Sequence, residues 1–401
     1  MKKSHIDWCP VIPDHWEEKR IKDIAFLQSG NSITAMDIAE EGKYPVYGGN
    51  GLRGYTNNYT NDGDYVLIGR QGALCGNINY AYGKFYATEH AVVVYTKNEE
   101  ITYWLGETLK AANLYRLSMT AAQPGLAVST LNIQFIPYPP SKERIRIANY
   151  LAEKCTEIDH QESLLTSKRD AYLRLKKSII NHAVTHGLNP NVKMKDSGIE
   201  WIGEVPEHWE VKRLKNVVEC NAKSLGENTP KDSIIKYVEI SDVDHVHGIN
   251  NIQSLMFGEA PSRARRITQK GDIIISTVRT YLKAIAKIED DDIIVSTGFA
   301  VLHPTKCNGE YLAYYILSES FINRVEMLSK GTSYPAINAS DLVSINVLIP
   351  PLPEQHAIAT YLDDKCAKID TIVSNLDKQI SRYADLKRSL IDEVITGKRA
   401  V

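Results

Sequence analysis

Two short stretches carry side chains suited to reading a nucleic acid. Arg70-Gln71-Gly72 directly follows a predicted strand, and Arg279-Thr280-Tyr281-Leu282-Lys283 stands at nearly the same place in the second half of the chain, with Arg263-x-Arg265-Arg266 upstream. Arginine and glutamine can bond base edges through two contacts at once, whereas lysine and arginine meet phosphates as charges. Lys84, Gln123 and Tyr334 complete the candidate set; the last two stand in the matched loops Gln123-Pro124-Gly125 and Tyr334-Pro335-Ala336. Loops held by rigid strands are where a scaffold presents such groups.

Catalytic patterns are missing where they would be sought. Asn189-Pro190-Asn191-Val192 lacks the second proline and the aromatic of an adenine-methylation motif, and there is no Gly-Lys-Ser/Thr phosphate loop. Glu17-x-Lys19 and Glu210-x-Lys212 imitate a nuclease pair without a metal-binding aspartate, and read as a solvated helix start. His245, His247 and His303 have no metal-ligand spacing and read as loop surface, so no metal is expected. Tyr47-Gly48-Gly49-Asn50-Gly51 marks a tight turn and lacks the strand, helix and acid of a dinucleotide site. The six cysteines form no Cys-x-x-Cys pair and read as buried reduced thiols. The longest apolar runs are strand-sized and the first residues are not a signal segment, so the expectation is a cytoplasmic protein with no membrane partner. A net charge of −2, from 47 basic and 49 acidic residues, means that local rather than bulk charge must carry any argument for DNA.

What must position these loops is a repeat. Ile6-Asp7-Trp8 and Pro13-Asp14-His15-Trp16-Glu17 return as Ile199-Glu200-Trp201 and Pro206-Glu207-His208-Trp209-Glu210, 193 residues later. Pro139 to Asp159 returns as Pro350 to Asp370, 211 residues later, with 11 identities in 21 aligned pairs. The second half therefore carries 18 extra residues in its middle, where the copies are least alike. The repeated tryptophans Trp8, Trp16, Trp201 and Trp209 read as braces between each domain and its helix.

Each centre reads as short strands between turns, among them Gly63-Asp64-Tyr65-Val66-Leu67-Ile68 and Gly271-Asp272-Ile273-Ile274-Ile275, giving an α/β or α+β domain with a mixed sheet. After each Pro-Pro the period changes. Ile147, Leu151, Lys154, Ile158, Gln161, Leu165, Lys168, Tyr172, Leu175 and Ile179 follow a heptad-like spacing that Ile358 to Leu390 repeats, so each copy ends in one long amphipathic helix. Such helices need a partner, and the expectation is an antiparallel pair about a pseudo-two-fold axis, with the seam lysines and glutamines fixing register.

Pro-x-His-Trp-Glu-x-Lys-Arg-Leu/Ile-Lys entering each half, and Pro-Pro-x-x-Glu-x-x-x-Ile-Ala-x-Tyr-Leu entering each long helix, resemble type I restriction-modification specificity subunits over essentially the whole chain. The first copy departs with Ser141-Lys142 where the second has Leu352-Pro353. The resemblance implies target-recognition domains at 1–140 and 189–350, with spacer and docking helices at 141–188 and 351–401. It further implies that each domain reads one half of a split site on double-stranded DNA and that the helices act as a ruler between them. Two modification subunits carrying S-adenosylmethionine, and restriction subunits using ATP and Mg²⁺, would do the chemistry, and this chain would bind no cofactor of its own. The residues leave two other readings open: a coiled-coil scaffold or adaptor unrelated to DNA, and a DNA enzyme with an unrecognised site.

Overall fold

A computed structural model describes residues 1–97, 102–118, 124–245 and 247–401. The chain forms two compact units, Met1–Thr166 with Asp377–Val401, and Ser167–Leu376. The long helices Ser141–His186 and Leu352–Ile395 each contribute to both.

In the first unit, an antiparallel sheet orders Ala25–Ser29, Ala91–Thr96, Tyr65–Gly69 and Ile78–Ala81. A mixed sheet orders Gly51–Thr56, Tyr44–Gly48, Lys84–Ala87 and Asn61–Asp62, with its middle pair parallel. The second unit repeats both orders. Val218–Cys220, Phe299–Pro304, Ile273–Ser276 and Ile285–Lys287 form its antiparallel sheet, and Gln253–Met256, Ile234–Val238, Ile293–Ser296 and Ala264–Ile267 its mixed one. Centres with little common sequence thus share one topology. Part of the extra length of the second is the small hairpin Val243–Asp244 with Gly248–Ile249, placed where the first has only the turn after Gly48.

Strand alternation explains the unbroken apolar runs. Val66, Ile68, Val92 and Val94 face the main core with Trp16 and Trp104, while Leu67 and Val93 face Phe85 on the other side. Both faces of the strands Tyr65–Gly69 and Ala91–Thr96 are covered over Val66–Ile68 and Val92–Val94, so those positions are all apolar. Ile273 and Ile275 against Ile274 divide the same way in the second unit.

Glu17–Arg20 is not a helix start. It is a strand paired with Phe135–Tyr138, as Glu210–Arg213 is with Asn346–Ile349, so cross-strand pairing overrides the local preference of a charged run. Each pair frames a centre and leads to Pro-Pro. There the side chains of Arg144 and Gln355 donate to the carbonyls of Pro139 and Pro350, the latter at 2.7 Å, and cap the turn entering each helix. Glu143 accepts from Trp16 Nε1 at 3.1 Å and lies 2.9 Å from His15, and Glu354 lies 2.7 Å from His208.

Within each unit the two helix segments run antiparallel. Asp159 meets Lys387 and Tyr150 meets Arg399 in the first; Lys176 meets Asp370, and Gly187 lies by Glu354, in the second. The buried stripe differs from the heptad reading. Cys155 is buried while Gln161, Lys168 and Leu175 face water, and the stripe continues through Tyr172, Lys176 and Ile180. A straight helix at 3.6 residues per turn drifts against a strict heptad, which moves the stripe by one residue. Lys176 and Lys387 are side chains that bond across the two segments, while Gln161 and Gln379 face water.

Candidate nucleic-acid interface

In the first unit the strand Tyr65–Gly69 ends at Arg70, whose N–H donates to His90 O at 2.8 Å and whose carbonyl accepts from Leu126 N at 2.9 Å. Gln71 bridges Gly125, and Gly72 N donates to Pro124 O at 3.1 Å. In the second unit Ile273–Ser276 ends at Thr277, which donates to Gly298 O at 2.8 Å and accepts from Ile337 N at 2.9 Å, and Val278 bridges Ala336. These ties make Thr277 the counterpart of Arg70, Val278 that of Gln71 and Arg279 that of Gly72. Gly72 and Arg279 share a left-handed backbone, with φ of 90° and 51°. One loop clamp is thus built twice and carries different side chains.

A close backbone approach supports the first clamp. A Cβ on Gly69 would fall 2.1 Å from Gly49 O, and one on Gly49 would fall 3.2 Å from Gln71 O and His90 O. The glycine run is the turn between Tyr44–Gly48 and Gly51–Thr56, pressed against the Arg70 loop.

Arg70 is exposed, with Nη1 3.3 Å from Ser29 Oγ, and Gln71 is exposed beside it. Lys84 is not with them. It starts the strand whose far end leads to the Thr88–His90 turn, and it sits 3.9 Å from Asp62 and 4.7 Å over the Tyr59 ring. Gln123 lies outside the described residues.

Arg279, Tyr281 and Tyr334 are exposed and come together with Lys283 around the short turn Thr280–Leu282. The Arg279 guanidinium lies 4.9 Å over the Tyr334 ring, a cation–π contact that joins the two side chains. Lys283 is half-buried, also left-handed at φ 51°, and 3.5 Å from Glu326. Non-glycine residues in this conformation store strain, which concentrates at functional loops. Arg263 is exposed, and its carbonyl accepts from Thr297 N at 2.8 Å, next to the Gly298 that holds Thr277. Arg265 and Arg266 turn into the sheet instead: Arg265 covers the Phe257 ring at 4.7 Å, and the Arg266 Nε is buried without a partner. Burial pushes the Cys220 thiol up, against the pull of Arg266.

Asn50 and Lys330 belong to the same clamps and were not singled out by sequence. Asn50 is exposed in the turn pressed on Gln71, and Lys330 exchanges backbone bonds with Ala336 at 2.8 and 2.9 Å. The unlike amide within the glycine run was the only signal for the first.

His303 bonds Asp272 at 2.8 Å and His247 lies 3.2 Å from Asp244. Among the described residues no group of three or more His, Cys, Asp or Glu is placed to hold a metal. The cysteines are all free thiols, with Cys220 and Cys307 only half-buried. Among the described residues no helix is long and apolar enough to cross a membrane.

A family model described as "Type I restriction modification DNA specificity domain" matches residues 13–164 and again 206–382. The EcoprrI specificity subunit of Escherichia coli is 42% identical over 139 residues, 34% of this chain and 35% of that protein. The MjaVIII specificity subunit of Methanocaldococcus jannaschii is 24% identical over 410 residues, 96% of this chain and 93% of that one. A chain in a solved structure concerning assembly and conformational transition of the type I R-M system superposes with a TM-score of 0.68 at 16% identity, covering 97% of this chain and all of that one. Two copies of the domain, together spanning most of the chain, carry the assignment: the chain belongs to the type I restriction-modification DNA specificity family and is a specificity subunit.

Proposed function

We propose that each repeat reads one part of a bipartite, asymmetric site on double-stranded DNA, and that the chain brings this specificity to modification and restriction subunits without catalysing a step itself. The observation that carries the reading is the twice-built clamp, which holds Arg70-Gln71-Gly72 in one unit and Thr277-Val278-Arg279 with Tyr334 in the other. Equal backbones with unlike side chains suit two readers of unlike half-sites. An arginine can bond guanine O6 and N7, a glutamine adenine N6 and N7, and the remaining basic groups phosphates. Arg70, Gln71, Arg263, Arg279, Tyr281 and Tyr334 are the reading set; Lys84 and Lys283 are phosphate contacts, and Arg265 and Arg266 support the sheet behind them.

Two modification subunits with S-adenosylmethionine, and restriction subunits with ATP and Mg²⁺, supply the chemistry in this reading. They dock on the long helices and the repeated frame strands, and the assembly works in the cytoplasm. The test is co-expression with the modification subunit encoded nearest to this chain, followed by single-molecule sequencing of adenine methylation across a genome. Methylation at one split, asymmetric motif, dependent on this chain, is the expected result. A stable complex with no motif, or a contiguous palindrome, overturns the two-reader assignment.

A further inference from the structure

The small hairpin Val243–Asp244 with Gly248–Ile249 stands where the first unit has only the turn after Gly48, and it walls a cleft. The cleft lies wholly within the second unit, measures about 920 Å³, and falls in the size range of small-molecule sites. Its walls are Leu173, Ile180, Ile249, Ile252, Ile285 and Ile322. Ile252 remains 41% exposed there, an apolar surface that a ligand would cover.

Lys177, Lys283 and His245, the last in the turn of the hairpin, line the same cleft. The other two lysines of the rim are committed, Lys176 to Asp370 at 2.7 Å and Lys287 to Glu310 at 2.7 Å. Lys177 and Lys283 are held loosely, at 3.9 Å from Glu319 and 3.5 Å from Glu326, and keep donors free. Of the rim carboxylates, Glu319, Asp370 and Glu289 each face one of these lysines, leaving Asp290. Burial, and then Lys177 and Lys283, hold the His245 imidazole below its ordinary range.

We propose that this cleft binds a small organic anion of mononucleotide size, its flat or aliphatic body against the isoleucine wall and its phosphate or sulfonate among Lys177, Lys283 and His245. The cleft carries this inference rather than the DNA reading, although it shares Lys283 with the proposed phosphate contacts. It does reach the reading loop, because Lys283 belongs to both, and an anion drawing it from Glu326 would act on the turn that carries Arg279 and Tyr281.

The test is a fluorescence titration of the full-length chain with 1-anilinonaphthalene-8-sulfonate, followed by displacement with adenosine 5′-monophosphate. One saturable site, displaced by the nucleotide, is expected. Lys177→Glu should weaken both ligands about tenfold. Ile252→Trp should remove the signal by filling the wall, with an unchanged circular dichroism melt. A titration that does not saturate, or one that neither variant alters, overturns the proposal. Displacement by a short DNA duplex but not by the mononucleotide also overturns it, and assigns the lysines to the DNA backbone.

Discussion

Lys387 donates to both carboxylate oxygens of Asp159, at 2.6 and 2.7 Å, and the repeat reproduces the bond with its polarity exchanged between the helices, Lys176 to Asp370 at 2.7 and 2.8 Å. Each bond lies inside one unit and joins its two antiparallel helix segments. Both aspartates are about half exposed, so each bond contributes no more than about 1 kcal/mol. Lys387→Asp should lower the melting temperature by a few degrees. Combining it with Asp159→Lys should recover most of the loss; no recovery would mean that the ion pair does not set register.

Arg279→Ala should cost about 1–3 kcal/mol at one half-site and leave the other untouched. Arg70→Ala should do the converse. Binding of the assembled methyltransferase to duplexes altered in one half-site at a time checks both. Arg265→Ala should weaken binding without changing sequence preference, because its guanidinium covers Phe257.

Gly69→Ala puts a methyl group 2.1 Å from Gly49 O, backbone against backbone. Neither side can rotate away, so the Arg70 loop must shift, at a cost of about 1–3 kcal/mol. Reading of one half-site should fail while methylation directed by the other clamp persists on a hybrid site. Equal loss at both would contradict separate clamps.

Gly397 closes the second long helix at φ 72°, where an added Cβ would meet Pro13 Cγ at 2.4 Å, and Gly187 closes the first at φ 76° beside Trp209. The left-handed backbone alone makes Gly397→Ala destabilising by about 1–2 kcal/mol. Calorimetry should show the loss, and Gly198→Ala, left-handed but with nothing near its added Cβ, should cost less.

His245 supplies a pH test. Its pKa is lowered in the folded chain, by burial first and then by Lys177 and Lys283, from an ordinary 6.5. Below pH 6.5 the unfolded chain takes up a proton that the folded chain resists, so stability present above 6.5 is lost as pH falls toward the folded value. Urea midpoints at pH 7.5 and 5.5 should differ less for His245→Gln than for the parent. An identical difference would place the titration elsewhere.

The frame was legible because it is written twice: the His-Trp-Glu and Pro-Pro segments each hold a strand pair or helix start against the same neighbour. The common topology of the centres was not, since a strand covered on both faces asks only for apolar residues. Val66-Leu67-Ile68 and Ile273-Ile274-Ile275 share the same alternation, yet an unbroken apolar run does not mark which of its residues faces which side. Arg70 and Arg279 looked equivalent by position along the chain, yet backbone ties across to 125 and 336 set them two residues apart. Glu17–Arg20 misled for a related reason, because its partner strand is more than a hundred residues away.

Phe135 pairs directly with Arg20, and Asn346 with Arg213, so each centre leaves its frame one strand spacing, about 5 Å, from where it enters. Any insert whose ends meet at that distance can be exchanged without disturbing the strands that hold it. The frame strands close in the same way around two centres of different length, so under the proposed function a whole centre would be transferable together with the half-site that it reads.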